Sequence, residues 1–202
     1  MKNRMALSVM VAAALAGCGL ISSPPIDNPF GLEGKQSTIT LKPSAQAVGN
    51  ATITATFENL TDLNLPANPT SFTYNPSVKN ITFGQGSLGQ GCPTPIPSTI
   101  QVTLNATVQV SDTDSQGGPR TASASVTGAS FTVTTSGGQA SVGNISNGSM
   151  TFSNLGTLID ILKTGSANSA NLTATLTTSS TPDLAGCTLT VTWGGGSGVL
   201  KF

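Results

Sequence analysis

The chain has 202 residues, eight Lys+Arg against eight Asp+Glu, and no histidine. Zero net charge, with neither a basic nor an acidic tail, excludes the electrostatic footprint of a nucleic-acid-binding protein. The lack of histidine removes Ser-His-Asp and Cys-His catalysis, histidine metal sites and the usual general base.

Only 8% of residues are charged, yet the pattern is not that of a disordered chain. Thr, Val and Ile recur throughout, and the polar remainder is Ser, Thr, Asn and Gly. That composition suits strands with an uncharged surface.

Lys2 and Arg4 precede an apolar run, Met5 to Leu15. The run fits the roughly 7–15 residues of a signal-peptide core. It falls short of the roughly 20 needed to span a bilayer. It ends in Leu15-Ala16-Gly17-Cys18, which resembles the lipobox of bacterial lipoprotein precursors. The resemblance implies a diacylglyceryl group on the Cys18 thiol, cleavage that removes residues 1–17, and acylation of the new amino terminus. Six cations then face eight anions. Each acyl CH₂ contributes about 0.8 kcal/mol of membrane affinity, so two or three chains give stable attachment. In that family an Asp after the cysteine favours inner-membrane retention. Gly19 stands there instead, which leaves the outer membrane open as the expected location, with the periplasmic or surface face undetermined by the sequence.

Residues 18–36 carry Ser22-Ser23-Pro24-Pro25 and Asn28-Pro29, which oppose helix and sheet. They read as a tether whose second half is ordered if Phe30 and Leu32 dock on the body. The body, 37–202, reads as one domain. Ile53, Ala55 and Phe57 alternate with threonines, and Val102 to Val110 form a longer apolar/polar run. Ala122, Ala124 and Val126 change parity at Gly128, where Phe131 and Val133 take over, as at a β-bulge or a bend between sheets. Leu155, Leu158, Ile159 and Leu162 instead have helical spacing. They predict one short helix near 154–163, with Ser153 or Asn154 as the cap and Lys163 and Gly165 at the end. Leu172 to Thr177 and Cys187 to Trp193 return to period two.

Alternation with one polar face predicts antiparallel sheets: a β-sandwich of about nine or ten strands, with a small closed barrel as the alternative. Phe202 resembles the last residue of outer-membrane barrel strands, but Gly198 and Gly196 break that pattern.

With Cys18 lipidated, Cys92 and Cys187 remain to form a disulfide, as expected of an exported domain. The residues offer little chemistry. Glu58 and Asp62 are a weak carboxylate pair. Gly84–Gly91 and Gly194–Gly198 lack the Lys-Ser/Thr of a phosphate loop. Asp112, Asp114 and Gln116, before Gly117, resemble the first half of an EF-hand calcium loop. Ser123 stands where that family has its bidentate Glu, and a hairpin turn explains the stretch as well. Three threonine ladders, Thr52/54/56, Thr173/175/177 and Thr188/190/192, project outward. Their T-x-T rows resemble ice-binding faces, but twisted strands do not keep the required spacing.

The sequence therefore reads as a lipid-anchored, non-catalytic envelope protein without a cofactor, serving as a structural or interaction module. Its membrane contact is through Cys18 and its further partner is a protein or a glycan. The alternative is a carrier for a small apolar ligand or glycan, because core positions Ala55, Ala106, Ala122, Ala124 and Ala174 leave a thin core.

Overall fold

The computed structural model describes residues 21–42, 46–60, 65, 67–84, 92–137 and 139–202. Leu15-Ala16-Gly17-Cys18, Asp62 and segment 85–91 lie outside the described residues.

The strands are β1 (Ile26–Asp27), β2 (Gln36–Thr40), β3 (Ala47–Thr56), β4 (Ser71–Asn75), β5 (Val78–Gly84), β6 (Thr99–Thr113), β7 (Pro119–Ser136), β8 (Gln139–Val142) and β9 (Met150–Thr151). Helix α1 (Leu155–Thr164) follows, then β10 (Ser166–Ser179), β11 (Thr188–Trp193) and β12 (Ser197–Lys201). Every ladder is antiparallel. The sheet orders are β3-β10-β6-β7-β8, β2-β11-β5 and β1-β12-β4-β9.

The two smaller sheets form one bent ribbon. β4 runs into β5 through Pro76-Ser77, and β11 runs into β12 through Gly194-Gly195-Gly196. The glycines at this corner answer a steric demand. A Cβ on Gly194 would lie 2.2 Å from Ser77 Oγ. One on Gly196, at φ +64°, would lie 2.5 Å from the Asn75 carbonyl. The corner is tied by the Gly194 amide to Ser77 O (2.9 Å) and the Gly196 amide to Ser77 Oγ (3.1 Å). Gly194–Gly196 thus form the fold in the ribbon, while Gly198 lies within β12.

The ribbon packs against the five-stranded sheet. At the margins β2 lies beside β3, and β5 beside β8. Among the described residues no ladder joins β5 to β8, so the architecture is an all-β sandwich with half-barrel curl and not a closed barrel. Twelve strands appear among the described residues, more than the nine or ten expected. β1 and β9 are two residues each, too short for a periodic signal.

Burial follows the alternation. In β6 Ile100, Val102, Leu104, Ala106, Val108 and Val110 are buried. The parity change in β7 is a bulge: the register slips between Leu104/Ala129 and Ala106/Val126, with Gly128 at φ +73°. Asn105 Oδ1 accepts the Gly128 amide at 2.8 Å and so satisfies the group that the bulge frees. Trp193 is buried, and its indole N–H donates to Ser37 Oγ at 3.1 Å. Cys92 and Cys187 are bonded (S–S 2.02 Å), and Cys187 points inward.

Helix α1 packs on β6 and β7 through Leu158, Ile161 and Leu162. Its start departs from the expected cap. Asn154 is the capping residue but makes no side-chain cap bond. Gly165 ends the helix at φ −64°, so left-handed backbone is not its purpose. A Cβ there would fall 2.2 Å from Asn168 Oδ1 and 2.3 Å from Asp112 Oδ2, so close packing demands the glycine.

The fold takes in most of segment 18–36. Phe30 and Leu32 are fully buried. The Phe30 ring sits 4.9 Å from Tyr74, 5.5 Å from Phe152, 5.9 Å from Phe57 and 6.0 Å from Phe72. The ordered chain therefore begins well before residue 37. Ser23 N donates to Leu200 O at 2.8 Å, and β1 pairs with β12.

Candidate functional site

The outer face of the five-stranded sheet is its most distinctive surface. β3 contributes Asn50, Thr52, Thr54 and Thr56, all exposed, while their neighbours Ala51, Ile53 and Ala55 are buried. β10 lies beside it and brings Thr173 opposite Thr52 and Thr175 opposite Asn50. β6 continues the rows with Thr107 beside Thr173 and Asn105 beside Thr175, and β7 adds Ser125 beside Thr107. Two of the three threonine ladders thus share one face. The third, Thr188/190/192, lies on β11 in the other sheet and is half-buried.

These rows carry hydroxyls and amides without a charge or an aromatic ring. Some are already ordered: Thr175 Oγ1 donates to Asn50 Oδ1 at 2.8 Å, and the Ser111 and Ser169 hydroxyls are 2.9 Å apart. Asn171 Oδ1, in the same sheet, is shielded from water and has no hydrogen-bond partner. The strands enclose a shallow groove of about 510 Å³ lined by Asn50, Thr52, Asn105, Thr107, Ser125 and Thr173. Such a surface can exchange hydrogen bonds with a neutral, flat partner. Holding it costs little side-chain entropy, since Thr is stiff at χ1.

A second groove, of about 1020 Å³, lies between the facing edges of β5 and β8. Phe83, Ile96, Pro93, Pro95, Pro97 and Pro182 supply its apolar lining. It adjoins the disulfide through the Cys92–Pro97 segment. Sequence reasoning missed it, because its walls come from four separated segments.

The stretch Asp112 to Gly117 is a hairpin turn. Asp112 is buried at the end of β6, where its carboxylate takes the Arg120 guanidinium, with Nε–Oδ1 at 3.0 Å and a second, shorter contact from Nη2. Asp114 Oδ1 accepts the amides of Gly118 (2.7 Å) and Gln116 (2.9 Å). These amide bonds, led by Gly118, with Arg120 nearby, hold the Asp114 carboxyl below the usual carboxylate range. Asp112 and Asp114 are each taken by a separate partner, and Gln116 contributes its backbone to the turn. Among the described residues no group of three or more His, Cys, Asp or Glu converges as a metal site. The geometry is that of a hairpin turn in which the Asp112 and Asp114 carboxylates serve Arg120 and the turn amides.

Near this pair, Asn59 Nδ2 donates to Gly165 O at 2.7 Å, and Asn168 Nδ2 donates to Asn59 Oδ1. This leaves Asn168 Oδ1 buried without a partner, a feature with no sequence signal. Glu58 is exposed after β3. Tyr74 is buried, and burial pushes its hydroxyl pKa upward; the hydroxyl donates to Gly195 O at 3.0 Å.

Among the described residues no helix is long and apolar enough to cross a membrane. Comparison of the chain with protein-family models, with curated proteins and with solved structures finds no match in any of the three.

Proposed function

We propose that this protein is a lipid-anchored, non-catalytic interaction module of a bacterial cell envelope, an accessory subunit of a surface or outer-membrane assembly. Anchoring is supported by the lipobox-like Leu15-Ala16-Gly17-Cys18. Export is supported by the Cys92–Cys187 disulfide, which persists in oxidising compartments. The observation that carries the interaction role is the uncharged hydroxyl and amide face of β3, β10, β6 and β7. That face has no aromatic ring on which a sugar could stack, which favours a protein partner over a glycan.

The test is extraction from membranes in mild detergent, followed by co-purification. The proposal predicts a stoichiometric protein partner that is lost when Thr52→Lys and Thr173→Lys place charge on the face. Both positions are exposed but face each other across the β3–β10 ladder, where like charges repel, so circular dichroism checks the fold of the double variant. Monomeric behaviour throughout, a glycan in place of a protein, or a partner retained by the double variant would each overturn it.

One observation favours a second reading, a carrier for a small apolar ligand: the groove beside Phe83 and Ile96. Native mass spectrometry of the gently extracted protein would show the retained ligand.

A further inference from the structure

The described chain is fixed from its first residues. Ile21 O accepts the Phe202 amide at 2.9 Å, and Ser22 bridges Lys201. Ser23 exchanges two bonds with Leu200: its amide donates to Leu200 O (2.8 Å) and its hydroxyl accepts the Leu200 amide (3.0 Å). β1 then pairs with Gly198 and Ser197, and Phe30 enters the aromatic cluster. Only Gly19 and Leu20 separate Ile21 from Cys18. Three residue steps, fully extended, reach at most roughly 11 Å. A free tether over residues 18–36 would reach roughly 60 Å by the same measure.

Ile21 is 63% exposed and is the one exposed large hydrophobic side chain among the described residues. It stands where the chain leaves for Cys18. Lys201, also exposed, lies beside it, with an apolar stem and a charged head suited to the headgroup layer.

From this arrangement we infer that the protein has no free tether, and that its Ile21–Lys201 end rests directly on the lipid surface, with Ile21 entering the interface. The inference rests on acylation of Cys18. The disulfide and the groove at Phe83 and Pro93–Pro97 belong to the other arm of the bent ribbon, past the Gly194–Gly196 corner, and the inference places them away from the bilayer.

The test uses the full processed chain in vesicles of phosphatidylcholine and phosphatidylglycerol, with intact mass recorded first. Ile21→Trp and, as the distal control, Thr181→Trp are made separately. Both positions are exposed, and circular dichroism checks the fold. Emission is compared between brominated and unbrominated lipid, with buried Trp193 as the common background. Interfacial side chains enter only about 5–10 Å, so Ile21→Trp should lose about half its added emission, and Thr181→Trp almost none. A Gly/Ser spacer of about 20 residues between Leu20 and Ile21, with a mean span of about 25 Å, should relieve most of that quenching. Equal quenching at both positions in acylated protein, or a spacer without effect, would overturn the inference while leaving the anchor intact. A mass without acyl chains would overturn both.

Discussion

Phe30→Ala tests whether the segment after the anchor belongs to the fold. Phe30 is fully buried and contacts four aromatic rings at 4.9–6.0 Å. Truncating a buried Phe costs about 3–5 kcal/mol through lost transfer energy and the cavity left behind. Aromatic pairs add about 0.5–1.5 kcal/mol each beyond their area, partly counted already in that range. An expected loss of about 4 kcal/mol follows, which lowers the melting temperature by about 8–16 °C for a domain of this size. Urea unfolding followed by Trp193 emission, with the disulfide intact, measures it. Trp193 is buried in β11 and its backbone pairs with Gly34 and Lys35 (3.0 and 2.9 Å), so far-UV circular dichroism recorded alongside reports the whole body. A loss under about 1 kcal/mol, the scale of surface substitutions, would refute the reasoning and return residues 21–36 to a free tether.

Arg120→Ala leaves the Asp112 carboxylate, whose side chain has no exposed surface, without its counter-ion. Stability should fall by about 3–5 kcal/mol in urea unfolding, and the double change Asp112→Asn with Arg120→Met should recover most of it. Replacing Cys92 and Cys187 by Ser frees a loop spanning 95 residues in the unfolded chain. The chain-entropy model gives a loss approaching about 4.7 kcal/mol, read as a lower urea midpoint with little change in the native circular dichroism. Asp114 has its pKa depressed in the folded state by the Gly118 and Gln116 amides. Its stabilisation is therefore present above the ordinary Asp pKa of about 3.9 and is lost as pH falls through the lower folded value. Carboxyl NMR should show Asp114 titrating below the ordinary Asp range, and Asp114→Asn should remove that step from the acid limb of the stability curve.

Much of the sandwich was legible because one rule governs it. A strand with one wet face must alternate, and β6 and β11 do so from end to end, as does β10 from Ala167 onward, after the irregularity at its start. The bulge at Gly128 was legible for the same reason, since an extra residue must shift parity. Helix α1 stood out as the one stretch where the spacing changes. Register and strand order were not legible. Asp112 shares the inward parity of Val110, but the reason it can be buried is that register sets it opposite Arg120 across the hairpin. Phe30 sits among Pro and Gly with no period, so its place at the centre of an aromatic cluster depends on where β4 and the segment before α1 come to lie. The polar face was visible as outward threonines. That two ladders adjoin while the third lies in another sheet follows from β10 entering between β3 and β6, which no local pattern encodes. The distal groove needed four segments to meet and left no trace in any one of them.

The central claim is that a lipid anchor at Cys18 carries a closely held interaction domain. Intact-mass analysis of the protein extracted from its own membranes tests this most directly. The account predicts a chain that begins at Cys18, carries a diacylglyceryl group with a further acyl chain on the amino terminus, and holds the Cys92–Cys187 disulfide. A chain that begins at any other residue, or begins at Cys18 without acyl mass, would contradict it.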